Sequence, residues 1–440
     1  MTDEQPRRPM RVTRKELVQG MGAATFGGVL AGGAAGFFGG RSSTNASAAT
    51  SKGQPITIGA LIPITGASAG DGQEMLRGLK LGVNEINSNG GVAGRPVTIE
   101  LLDAKDQPPD VMVAAMRKFA ADGVAAVFSP FLTYTNVDLA VIGPAKIPTF
   151  HVNTFQGNVD FAVRHHFRNI FEGCPSEIWY AHGFSAVLEG LIKAGKFTPR
   201  NKTVSIVTSN DAYSSSIAQT LRADLGKLGW KVVQYDTYTV PQADWGGVLT
   251  RIRNHNPDLV FQSDYFAGDE ASFIKQFAQA PTRSLVYQQY APSIPEYRQL
   301  SGTASNGVLW ATTTGSILSD DVGKRYAKAY EAAYHQPPGL ANAGNQYDLV
   351  RLWAQAAALA PDPYDYDRVG DNVRYMIFRG VNGTYKMGPT TQTCMPYPAY
   401  TKDPSLGTPL LTFQIQNGKQ VLINPEPYTT GSYETQPWLT

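Results

Sequence analysis

Cysteine is almost missing from this 440-residue chain, which has only Cys174 and Cys394. Neither stands in a His/Cys/Asp cluster at metal-ligand spacing, so no metal site is expected. In an oxidising compartment the two thiols can pair; two free, buried cysteines are the other reading. Histidine is scarce too, six in all, and none accompanies a candidate nucleophile. G-x-S-x-G, H-E-x-x-H and phosphate-cradling glycine loops are absent, and Gly70-Asp71-Gly72 is too short for a P-loop or dinucleotide fingerprint. An enzyme is therefore not expected, nor a cofactor. Excess charge of either sign is also missing: 38 Lys+Arg against 36 Asp+Glu give +2. With no basic patch, a nucleic-acid partner is not expected.

Long apolar runs are missing except for Gly20–Gly40, an uncharged run in which seven glycines lie between Gly27 and Gly40. Residues 1–48 read as an export signal, with a basic start, this mild apolar run, and small residues at Ala46-Ser47-Ala48 for a signal peptidase. Thr13-Arg14-Lys15-Glu16-Leu17-Val18 is similar to the twin-arginine pattern, with Lys in the second basic position. Twin-arginine export suits the glycine-rich run better than the general route, and both remain open. No cysteine lies near the cleavage region to carry a lipid. The run is long enough to span a bilayer, so an uncleaved anchor stands as the alternative to cleavage, which the low hydrophobicity favours. Removing six Lys/Arg and three acids with residues 1–48 leaves the remainder near neutral.

What is present is a regular alternation of short β-rich runs and amphipathic stretches. In Ile56–Ile62 the run ITIGALI is short and apolar, as a buried strand should be. Pro63 to Gly72 has loop composition. From Gln73 the residues Met75, Leu76, Leu79, Val83 and Ile86 fall at helical spacing. Asn89-Gly90-Gly91 ends that helix, and Val97, Ile99 and Leu101 alternate as the next strand. Such βαβ units belong to an open parallel sheet, whose ligands bind beyond the strand carboxyl ends.

The same unit continues. Strands are expected at Val124–Phe128 and Ile147–Val152, with a helix over Asn136–Ala145 between them. A second series follows from Ser176, with strands at Thr203–Val207, Trp230–Tyr238, Asp258–Gln262 and Leu285–Gln288. Helices are expected between them, one over Ser272–Ala278. Gly307–Ala311 reads as a strand returning to the first series, followed by helices at Val322–Tyr334, Asn345–Ala360 and Val369–Arg379. Asn417-Gly418 marks a hairpin between Leu410–Gln416 and Gln420–Ile423. At this length the chain is expected to form more than one domain.

The opening stretch carries a resemblance. Ile58-Gly59, Pro63, Thr65-Gly66, Gly78, Gly82, Glu85-Ile86-Asn87, Gly90-Gly91, Gly94-Arg95-Pro96 and Asp103 match the start of type I periplasmic binding proteins of the branched-chain amino acid and amide class. The resemblance extends over about residues 54–438. It implies an α/β fold of two doubly wound parallel-sheet lobes joined by three hinge crossings. Its segments would be an export signal at 1–48, lobe 1 at 54–170 and 308–410, lobe 2 at 171–307, and a return with the tail at 411–440.

It also implies a ligand cleft between the lobes. Members that bind amino acids often place an aromatic where Asp71 stands, in the loop Ala67–Gly72. Ser129–Thr135 resembles the loop whose two serines bind the ligand carboxylate; Leu132 and Thr133 stand there, followed by Tyr134. Val152–Phe155 resembles the next loop, with Asn153 at a backbone-donor position, then Thr154, and Phe155 where a carboxylate-binding threonine is usual. Tyr213 matches a cleft tyrosine, Tyr265 follows a strand that contributes to the cleft, and Gln289 lies where an acid commonly pairs with the ligand ammonium. His151 reads as a strand-end residue rather than a ligand group.

These departures bear on the ligand. A carboxylate needs converging donors and a buried ammonium needs an acid; Leu132 and Phe155 lack hydroxyls and Gln289 lacks charge. The expected function is an exported substrate-binding protein, in the periplasm or extracytoplasmic cell envelope, delivering a small organic solute to ABC permease subunits. That solute is expected to be neutral, amide-like or aromatic rather than a simple α-amino acid. Contact with the membrane would run only through the permease or an uncleaved anchor. The alternatives are a ligand sensor of the amide-sensor type, or a branched-chain amino acid binder using Asp71 or Asp264 as the replacement acid. Asp71 is either that cation partner or a solvent-facing turn residue, and the turn reading is slightly favoured.

Overall fold

A computed structural model describes residues 53–66, 68–397 and 403–440. The expected export signal and Ala67 lie outside the described residues. Five strands form the first sheet: β1 (Ile56–Ile62), β2 (Val97–Asp103), β3 (Val127–Phe128), β4 (Thr149–His151) and β5 (Ile170–Glu172). All pair in parallel, in the spatial order β2-β1-β3-β4-β5. Ile56, Ile58, Ala60 and Ile62 pack into one apolar cluster with helices Ala69–Ser88 and Asn345–Ala358. Leu61 points to the opposite cluster with Met112, Met116 and Phe119 of helix Pro109–Asp122. Helices thus cover both faces, which is why β1 is buried along its length except at Thr57.

The second sheet has seven strands. β6 (Thr203–Ser209), β7 (Lys231–Tyr238), β8 (Leu259–Ser263), β9 (Leu285–Gln289) and β10 (Leu309–Thr312) are parallel; β15 (Leu411–Gln416) and β16 (Lys419–Asn424) complete it antiparallel. Two short ribbons, β11 (Phe378–Arg379) with β12 (Thr384–Tyr385) and β13 (Pro396–Tyr397) with β14 (Thr408–Pro409), lie between. Asn417 and Gly418, at φ 48° and 73°, turn β15 into β16 as a two-residue hairpin requires.

Several expectations change. Leu309–Thr312 does not return to the first sheet: it pairs with β9 and β15 in the second. A buried strand carries no local mark of which sheet it joins. The chain therefore crosses after Thr312, and the Ser316 hydroxyl already donates to Asn382, whose amide bonds to Asp348 of the first-lobe helix Asn345–Ala358. The first crossing follows β5, after Glu172. These two crossings run side by side, the Thr313 hydroxyl donating to Pro175 O at 3.4 Å, and a third passes at Leu410 between β14 and β15. The helix expected over Asn136–Ala145 shortens to Leu139–Ile142, while that expected at Ser272 begins earlier, at Ala267. Helices Gln156–Arg164 and Pro295–Ser301 have no counterpart in the sequence reading. Cys174 and Cys394 are both free and buried.

Candidate functional site

The carboxyl ends of the two sheets face a common cavity of about 130 Å³. Its walls come from segments that follow strands, as expected for open parallel sheets: Gln107 after β2, Phe131 and Tyr134 after β3, Val152 to Thr154 after β4, Tyr265 after β8 and Tyr290 after β9. Ser68, Asp71 and Met75 enter from the start of helix Ala69–Ser88, Tyr180 and Tyr213 from second-lobe helices, Thr314 from a crossing, and Asn342 from the segment before helix Asn345–Ala358.

Asp71 is not a solvent-facing turn residue. The helix expected from Gln73 begins at Ala69, which places Asp71 in its first turn and on the cavity wall. Gly72 permits this start: a Cβ there would lie 1.8 Å from Pro63 O. The Tyr290 hydroxyl donates to Asp71 Oδ2 at 2.6 Å, and Asn342 Nδ2 donates to Oδ1 at 2.9 Å and to the Tyr290 oxygen at 3.2 Å. Burial raises the Asp71 pKa, and these two hydrogen bonds oppose the rise. Glu74, one turn on, is pushed up to about 7 by burial and then by the charge of Asp71. Tyr290 sits at φ 72°, a conformation that bulky residues rarely adopt.

Of the residues expected at the cleft, Asp71, Tyr134, Asn153, Thr154, Tyr213 and Tyr265 line the cavity. Leu132, Thr133, Phe155 and Gln289 do not. Leu132 is buried in the cluster of helix Pro109–Asp122, where an apolar side chain is most stable. Thr133 turns to Asp138, its amide donating to Oδ2 at 2.9 Å and its hydroxyl to Oδ1 at 2.8 Å. Phe155 packs edge-on against Tyr134 at 4.8 Å. Gln289 is wholly buried, accepting from the Tyr287 hydroxyl and donating to the Tyr213 oxygen at 3.1 Å. It positions Tyr213, whose ring meets Tyr180 edge-on at 6.0 Å.

Asn153 is already engaged, donating to Asn158 Oδ1 at 2.6 Å, while Asn158 donates to Thr133 O at 3.0 Å. Asp264 is buried away from the cavity, accepting from the Tyr238 hydroxyl at 2.5 Å and from the amides of Tyr265 and Phe266 at 2.6 and 3.1 Å. Burial pushes its pKa up to about 6. His151 is buried, which pushes its pKa down to about 3. Among the described residues no group of three or more His, Cys, Asp or Glu is placed to hold a metal ion, and no helix is long and apolar enough to cross a membrane.

The sequence reading did not include Ser68, Met75, Gln107, Phe131, Val152, Tyr180, Tyr290, Thr314 or Asn342 among the site residues. Tyr290 carried a usable signal, being the first residue after a strand on the cleft side. Asn342 carried none, because only the fold brings it 271 positions back to Asp71.

The family model described as "Periplasmic binding protein" matches residues 55–401. The chain belongs to the periplasmic binding protein family. Its two lobes are those of the type I fold. A crystal structure of a candidate branched-chain amino acid ABC transporter from Silicibacter pomeroyi is 32% identical and superposes with a TM-score of 0.83, over 87% of this chain and 100% of that one. A solute-binding protein from R. palustris in complex with benzoate is 19% identical, with a TM-score of 0.65 over 84% and 96% of the two chains; at that identity the likeness is one of fold. The "Leu/Ile/Val-binding protein homolog 3" of Brucella melitensis is 25% identical over 58% of this binding protein and 66% of its own length. The binding protein thus spans just under two thirds of that curated relative.

Proposed function

We propose that this chain is the exported substrate-binding protein of an ABC importer, handing a small organic solute to permease subunits at the membrane. The solute is neutral, amide-like or aromatic rather than a simple α-amino acid, and the two lobes close on it about their crossings. Any other membrane contact would be an uncleaved N-terminal anchor. One observation carries the ligand reading: among the described residues, the cavity wall holds aromatic side chains from both lobes, one carboxylate, and no Lys, Arg or His. A ligand carboxylate brought here would meet the charge of Asp71 without a compensating cation. The names of the relatives favour a branched-chain amino acid instead, and Asp71 is the acid that would then hold its ammonium.

Thermal-shift screening of the chain from residue 49 onward decides between these. Amides or aromatic compounds are expected to raise the midpoint by mass action. A shift with leucine, isoleucine or valine and none with the other classes would overturn the ligand reading.

A further inference from the structure

A carboxylate that faces a cavity without a cationic partner leaves a site one charge short. Among the described residues no Lys, Arg or His forms an ion pair with Asp71, whose oxygens accept only from Tyr290 and Asn342. Glu74, one turn further along the same helix, is off the cavity wall and within the field of Arg77. Arg77, the cation nearest in sequence, instead lies over the Tyr334 ring at 5.9 Å from its centroid and is not on the cavity wall. The same wall carries Tyr134, Tyr180, Tyr213 and Tyr265. Where a phenol ring turns its face to the cavity, that negative face favours a cation.

We propose that the cleft selects a small organic cation, an ammonium or amidinium on a compact apolar or aromatic body with no free carboxylate. This rests on the cleft being the solute site; it keeps the aromatic and amide-like outline proposed for the solute and replaces its neutral head with a positively charged one. Asp71 takes the cationic head through hydrogen bonds to its unfilled lone pairs. The tyrosine rings enclose the head and body, and the absence of cationic side chains makes a carboxylate unwelcome. Size agrees: about 130 Å³ is close to the roughly 150 Å³ that holds a benzene ring in an apolar cavity.

Isosteric probes separate charge from shape. Benzamidinium, benzamide and benzoate share one outline and differ in charge; acetamidinium, acetamide and acetate repeat the comparison without the ring. Calorimetric titration of the chain from residue 49 onward is expected to give an amidinium affinity at least about tenfold above its amide, with no binding of the carboxylate. Asp71→Asn is expected to lower amidinium affinity at least about tenfold and to narrow its lead over the amide. Should that variant fail to fold, the ranking on the unmodified protein decides alone. A benzamide or benzoate affinity equal to or above that of benzamidinium would overturn the cation assignment while leaving solute capture intact. Silence of both amidinium probes would overturn it too, and solute capture would then stand or fall on the wider screen.

Discussion

Tyr290 holds a positive-φ backbone at the end of β9 while its hydroxyl reaches across to Asp71. Removing only that hydroxyl, in Tyr290→Phe, leaves a half-buried carboxylate oxygen short of a donor. The expected cost is about 1–3 kcal/mol, read as a lower denaturant midpoint at constant slope. Glu74 makes a complementary prediction. Its folded pKa, about 7, lies above the ordinary 4.5, so the folded chain keeps a proton that the unfolded chain has released. Stability therefore falls as pH rises from about 4.5 to about 7. Glu74→Gln removes that slope. The variant should match the parent at pH 4 and exceed it at pH 8 by on the order of 1 kcal/mol, allowing for partial solvent screening. Melting curves across that range check it, and a parallel loss at every pH would count against this account of Glu74.

At the scale of elements, the glycines of helix Ala69–Ser88 explain how that helix reaches the cleft. A Cβ at Gly78 would lie 2.3 Å from Ala343 O, and one at Gly82 would lie 2.5 Å from Val350 Cγ1. The helix therefore packs directly on the backbone entering helix Asn345–Ala358, and that packing brings Asp71 to Asn342. Helix propensity alone would make Gly→Ala stabilising by about 1 kcal/mol. The close approach predicts the reverse sign for Gly78→Ala, a loss of about 1–3 kcal/mol. Gly82→Ala should cost less, because its first obstacle is the end of a side chain rather than a carbonyl. Chemical denaturation of the two variants, compared with the parent, checks both the sign and the order.

Across the whole molecule, the junction between lobes is held by polar ties beside the crossings. Glu177 accepts from the amide of Gln156 at 2.7 Å and from the hydroxyl of Ser216 at 2.5 Å, joining the start of a first-lobe helix to a second-lobe helix. Ser216→Ala should cost about 0.5–1.5 kcal/mol, measured by denaturation without ligand. Cys174 and Cys394 lie in the first-lobe core with Leu349 and Trp353, so the apolar contacts there do not depend on a disulfide. Adding a thiol reductant should leave the melting midpoint unchanged; a drop of several degrees would show that the thiols pair in solution.

The sequence by itself determined the alternation of strands and helices, the Asn417-Gly418 hairpin and the two-sided burial of β1, because each depends on periodicity or turn chemistry within a few residues. The opening motif was equally legible, and its Gly78 and Gly82 prove to lie against Ala343 and Val350, just before and within helix Asn345–Ala358. Tertiary structure decided the rest. An apolar run predicts burial without naming a sheet, so the place of Leu309–Thr312 waited on its pairing with β9 and β15. Leu132 and Gln289 occupied promising positions at strand ends, yet packing and hydrogen bonding drew both inward. Asp71 gained its meaning only from Tyr290 and Asn342, 219 and 271 positions away. A cavity wall is assembled from distant ends of strands, and no local pattern records which side chains will converge there.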